Sequence, residues 1–150
     1  MLNIVINETE RVAFFNIFKK FIVERLGFSL KQADSIDLYS ARQEFFILQF
    51  KKGLDDLYLK IGEYSYTAPS QKSIVISRIG FRKSHSGYGT ELLKELCKLG
   101  QEFNYDWLYV ECPNPGCQKF MKKLGFKDTS PISIHELQDS IQQYENNKNT

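Results

Sequence analysis

The sequence predicts an α/β domain with a mixed sheet, in which an antiparallel meander of strands runs into a strand–helix–strand unit. Three observations predict it. Residues 44–50, 57–64 and 73–81 are strand-like runs separated by turn signals, Lys51-Lys52-Gly53-Leu54-Asp55-Asp56 and then Pro69-Ser70. The third run passes through a basic, hydroxylated loop into Gly87-Tyr88-Gly89-Thr90, after which Leu92, Leu93, Leu96, Cys97 and Leu99 follow helical spacing. Residues 106–112, with Trp107-Leu108-Tyr109-Val110, then read as a further strand. A helix between two strands implies that they lie parallel.

The flanking elements follow in order. Residues 2–6 alternate imperfectly and read as a short strand, with Asn7 and Thr9 as helix-cap candidates. Over residues 10–26, Val12, Phe15, Phe18, Ile22 and Leu26 recur at helical steps, and Phe14 and Phe21 widen the stripe. Such a stripe is read as core packing rather than a binding groove. Gly27 suits the helix end, and residues 29–36 predict a short helix opened by Ser29 with Gln32 in a capping box. Beyond residue 112, Pro113-Asn114-Pro115 breaks the strand, and residues 116–124 predict a helix closed by Gly125. Residues 126–134 are expected to add a strand. Ser133 with Glu136 caps a last helix whose inner face carries Ile134, Leu137, Ile141 and Tyr144, and residues 145–150 are expected to fray.

A chain of 150 residues is sized for one domain. The net charge of +2 argues against a nucleic-acid partner held mainly by charge. Three cysteines, Cys97, Cys112 and Cys117, form no Cys-x-x-Cys pair, and with two histidines, His85 and His135, they offer no zinc-site spacing. Separate reduced thiols, no metal and a cytoplasmic location are the expectation. No apolar stretch approaches the roughly 18 residues of a membrane span.

The turn at residues 84–90 carries the chemistry. The first N–H groups of a helix have no intrahelical partner and gather partial positive charge, and glycine lets backbone approach an anion without a Cβ clash. Strand, glycine turn and helix start together predict a phosphate-bearing ligand. No Gly-x-x-x-x-Gly-Lys-Ser/Thr string is present to make it a nucleotide P-loop.

Two blocks in the expected order resemble the GCN5-related N-acetyltransferase superfamily. Residues 84–89, from Ser84 through Gly87 to Gly89, are similar to its Arg/Gln-x-x-Gly-x-Gly/Ala signature, and Asn114-Pro115-Gly116-Cys117 with Phe120-Met121 and Leu124-Gly125-Phe126 is similar to its second block. The resemblance implies one domain over residues 1–150: an acceptor-side half (1–72), an acetyl-CoA-binding core (73–126) and an atypical C-terminal segment (127–150). It implies parallel strands that splay around acetyl-CoA. The backbone of Ile79, Gly80 and Phe81 lies along the pantetheine arm. Ser84, His85, Ser86, Gly87, Tyr88, Gly89 and Thr90 surround the pyrophosphate, and Asn114 bonds the pantetheine. The implied reaction is acetyl transfer to a primary amine, small molecule or peptide, by direct attack through a tetrahedral intermediate. Its oxyanion is held by an N–H near Ile79 or Gly80.

The sequence departs from the family pattern at three places. Ser84 replaces an Arg or Gln, leaving Arg82 or Lys83 as the nearby cations. Met121 stands where many members have a proton-donating tyrosine, and methionine cannot donate; either Tyr88, Tyr109, Cys112, Cys117 or water substitutes, or the thiolate leaves unassisted. The C-terminal residues look too helical for the family's closing hairpin, so the acceptor site is either open or completed by a second chain, as in a homodimer. An attacking ammonium must lose a proton. Glu111, two residues past Tyr109 and hence on the same strand face, is the first candidate base, and Glu63 the second. A catalytically weak or inactive acyl-CoA-binding module with an interaction or regulatory role is the alternative.

Overall fold

Asn7 has extended backbone, and its side-chain oxygen accepts from the Glu10 amide at 2.8 Å, capping helix α1 (Glu8–Lys20). The computed structural model describes residues 5–40, 43–63, 71–83, 87–111, 115–126 and 131–148. Residues 2–4 of the expected first strand lie outside the described residues; of its remainder, Val5 and Ile6 are not in a strand, and the Ile6 amide donates to Gln43 O at 2.8 Å. The helix continues as a π turn over Phe21–Arg25, in which Leu26 N–H reaches back to Phe21 O. Phe21 and Ile22, three and four residues past Phe18, are buried on the same side as Phe14 and Phe18. The predicted stripe packs in the core at Phe14, Phe18, Phe21 and Ile22, with Phe15 and Leu26 half-buried against it, and is corrected at Val12, which is 45% exposed. Helix α2 (Leu30–Ala33) carries the expected capping box, with Gln32 N–H to Ser29 Oγ at 3.1 Å and Ser29 N–H to Gln32 Oε1 at 2.9 Å.

The sheet among the described residues has six strands in the order β1 (Asp37–Tyr39), β2 (Phe45–Lys52), β3 (Asp55–Glu63), β4 (Lys72–Gly80), β5 (Trp107–Val110) and β6 (Ile132–Ser133). All pairs are antiparallel except β4 with β5. Strand β1 was not anticipated: three exposed residues carry no alternation to read. Between β2 and β3, Gly53 turns at φ 61°, a left-handed conformation that glycine adopts without strain. Helix α3 (Tyr88–Glu102) connects the parallel pair, α4 (Pro115–Lys123) follows β5, and α5 (Ile134–Lys148) closes the chain. The expected strand over residues 126–134 reduces, among the described residues, to the two residues of β6. The expected fraying from residue 145 does not occur before Lys148, because Glu145 pairs with Lys94 of α3 at 2.9 Å.

One face of the sheet supplies Phe46, Leu48, Leu59, Ile76, Leu108 and Val110 to the hydrophobic core, each at most 1% exposed, while Val75 is fully buried on the other face. The first face packs against Phe14, Phe18, Leu92, Leu93, Leu96, Leu137 and Ile141. Phe45, Ile47, Tyr58, Lys60, Ser77, Tyr109 and Glu111 lie on the opposite face and are half-buried.

A buried polar clamp ties the helical layer to the sheet. Glu10, 5% exposed, accepts from Lys72 Nζ at 2.8 Å and from the Tyr105 hydroxyl at 3.0 Å. Lys72 also donates to Phe103 O at 2.9 Å and lies 4.4 Å from the Tyr105 ring centroid. One charge left alone there is strongly destabilising, whereas removing both is not. Lys72→Met is expected to lower the unfolding free energy by about 3 kcal/mol in chemical denaturation, and Glu10→Leu added to it to restore part of that loss.

Candidate functional site

Strands β4 and β5 pair from Ser73↔Trp107 to Ile76↔Val110, and Glu111 N–H closes the ladder on Ile76 O at 2.9 Å. β4 continues for residues 77–80, which have no β5 partner among the described residues. The change falls on a β-bulge. The β3–β4 register steps from Leu59↔Ile76 to Tyr58↔Arg78, leaving Ser77 as the extra residue. A bulge bends its strand, here next to the last β4–β5 pair among the described residues.

Ahead of this opening stands the start of α3. Gly87 is its N-cap at φ 77° and ψ 7°, a conformation other residues adopt with strain, and a Cβ there meets nothing within 4 Å. Gly89 serves another purpose: a Cβ would lie 2.7 Å from Phe120 Cζ, so its bareness admits the α4 ring against the first turn of α3. Ser84, His85 and Ser86 lie outside the described residues. The approach to them is tethered, since the Arg82 amide donates at 3.0 Å to Asp55, a carboxylate 5% exposed at the start of β3. Arg82 and Lys83 are exposed, while Ile79, Gly80, Phe81, Tyr88 and Thr90 are half-buried.

Phe81 and Tyr88 meet edge-on at 5.6 Å between centroids, and Phe21 of the π turn joins them at 5.9 and 6.3 Å. Arg25, from the same turn, lies 5.8 Å from the Tyr88 ring centroid and donates from Nε to Glu91 at 2.7 Å. Sequence reasoning missed Arg25, Glu91 and Asp55. Each is an ordinary surface charge by pattern, and only the fold brings them to the glycine turn.

Glu111 directly follows Val110, the last residue of β5. Its Oε1 accepts from Ser77 Oγ at 2.9 Å and lies 3.4 Å from Lys60 Nζ. Tyr109 shares its face, two residues earlier. The Glu63 side chain, Cys112 and Asn114 lie outside the described residues. Met121 is 3% exposed within the core. The expectation of separate reduced thiols is corrected at Cys117, which is disulfide-bonded and so has no thiol proton to give. A bridge depends on the approach of two Cα atoms, which the lack of a close-spaced cysteine motif does not exclude. Cys97 is a free, buried thiol whose pKa desolvation raises from 9.0 to about 12.

A separate cavity of about 260 Å³ is lined by Glu8, Arg11, Val12, Phe15, Leu38 and Ser40, toward the end of α1 away from Phe21. Among the described residues, no group of three or more His, Cys, Asp or Glu is placed to hold a metal, and no helix is long and apolar enough to cross a membrane.

These features define a mixed α/β protein with a largely antiparallel sheet and one parallel strand pair, consistent in general shape with the N-acetyltransferase architecture that the sequence resembles. Comparison with protein-family models, with curated proteins and with solved structures found no match.

Burial of Cys97 has two measurable consequences. At pH 8 the native protein is expected to resist alkylation at Cys97, with full reaction after unfolding, as read by peptide mass mapping. The fold favours the protonated thiol, so its contribution to stability is complete below pH 9.0 and declines as pH rises through about 12.

Proposed function

We propose that the chain is an acetyl-CoA-dependent N-acetyltransferase, built as one unit over residues 1–150. The observation that carries this reading is that β4–β5 pairing among the described residues reaches only Ile76, with the same strand leading on to a glycine N-cap on α3 whose Cβ side is clear. The residues present fit coenzyme A: Gly87 leaves its side of the turn clear, and the β4 backbone past the bulge lacks a β5 partner among the described residues. Acetyl-CoA, when bound, supplies an acetyl group on a thiol leaving group.

The chain's own groups divide the remaining work. The backbone of residues 77–80 holds the pantetheine arm as an added strand would be held. The first amides of α3, with Arg82 and Lys83, hold the phosphates. Asp55 fixes the Arg82 backbone, and the Phe21, Phe81 and Tyr88 rings wall the turn. Glu111 takes a proton from the incoming amine, and an N–H near Ile79 or Gly80 faces the charge developing on the carbonyl oxygen. A second reading, an acyl-CoA-binding module without turnover, is favoured by one observation: buried Met121 and bonded Cys117 leave no proton donor at that part of α4.

Calorimetric titration separates these readings from a nucleotide site: acetyl-CoA is expected to bind and ATP not to, and the reverse result removes the acetyltransferase. Gly87→Glu, which puts bulk and negative charge at the turn, is expected to abolish acetyl-CoA binding. Glu111→Gln is expected to lower thiol release over an amine panel about 100-fold while leaving acetyl-CoA affinity unchanged. Absence of thiol release with every amine, despite binding, selects the second reading.

A further inference from the structure

We propose that Lys60 is itself an acetyl acceptor, a modification site within the cleft. The inference rests on the acetyltransferase reading and names a substrate class for it: a primary amine at the end of a lysine-length aliphatic stem.

Lys60 lies on β3 opposite Val75 of β4, and Val75 lies opposite Tyr109 of β5. Its ammonium comes within 3.4 Å of Glu111 Oε1, just past the end of β5, although β4 lies between the two backbones. Neighbouring strands are about 4.8 Å apart, so the two backbones are about 10 Å apart and the side chains meet over β4. Ser77, the extra residue of the β4 bulge, donates to the same Glu111 oxygen at 2.9 Å. The Lys60 side chain is 26% exposed, whereas Lys51, Lys52 and Lys98 are open to solvent. A long-stemmed amine is thus held at the end of the paired segment, in contact with a carboxylate able to take its proton.

The step balances on these groups. The Lys60 ammonium gives one proton to Glu111, and its freed lone pair forms a C–N bond to the acetyl carbon. The C–S bond breaks and its electron pair leaves on sulfur. The second proton lost by nitrogen ends on that sulfur as the coenzyme A thiol, and Glu111 returns its proton to water. The modified side chain is neutral, so the ion pair to Glu111 is lost.

The test uses the full chain and two readouts on the same lysines. Incubated with acetyl-CoA and mapped by mass spectrometry, Lys60 is expected to be acetylated at least about tenfold faster than Lys51, Lys52 or Lys98. Glu111→Gln is expected to abolish that preference while binding acetyl-CoA with unchanged affinity. Independently of turnover, added coenzyme A is expected to protect Lys60, and not the three exposed lysines, from an amine-reactive ester. If acetyl-CoA binds but acetylation favours the exposed lysines, or if coenzyme A leaves Lys60 labelling unchanged, the Lys60 proposal is overturned and the acetyltransferase reading stands. If acetyl-CoA does not bind at all, that reading fails first and takes this proposal with it.

Discussion

Among the described residues, the parallel ladder between β4 and β5 runs as far as Ile76, and the proposed site depends on that limit. A strand that runs on past its partner keeps backbone donors and acceptors that need another partner. Ser77 is the extra residue at the β3–β4 register step, and a bulge bends its strand. Beyond it lie the tethered backbone of Arg82, the left-handed Gly87 and the first turn of α3. On the open sheet face, the same bulge brings the Ser77 hydroxyl, the Lys60 ammonium and the Glu111 carboxylate together.

The N-terminal half supports this region from the side. The π turn over Phe21–Arg25 carries Phe21 and Ile22, buried, and Arg25, which donates to Glu91. The carboxylate of Glu91 already favours the positive end of α3, and Arg25 balances it at the mouth of the turn. Farther back, the Glu10–Lys72 pair and Tyr105 fix α1 against the start of β4. The helix that carries Phe21 to the turn is therefore anchored at both ends.

What was legible in the sequence had a local physical cause. The Asn7 cap and the Ser29–Gln32 box follow from short-range hydrogen bonds, and the meander and parallel unit follow from runs of strand residues between turn formers. The conformational need for Gly87 was legible for the same reason. Gly89 was read as a ligand-facing residue, but its closest neighbour is Phe120, thirty-one positions along the chain, a contact that only tertiary packing creates. The Lys60–Glu111 pair was equally hidden, since it joins strands that are not neighbours. Strand β1 was missed because three exposed residues have no pattern, and the Cys117 bridge because covalent pairing depends on distance in space.

Residue-resolved amide hydrogen exchange along β4, with and without coenzyme A, tests the central claim most directly. In the free protein, the amides of residues 77–80 that do not face β3 are expected to exchange much faster than the paired amides of residues 73–76. Coenzyme A is expected to slow the first group and leave the second unchanged. Equal protection of both groups in the free protein, or no slowing of residues 77–80 on adding coenzyme A, contradicts the account.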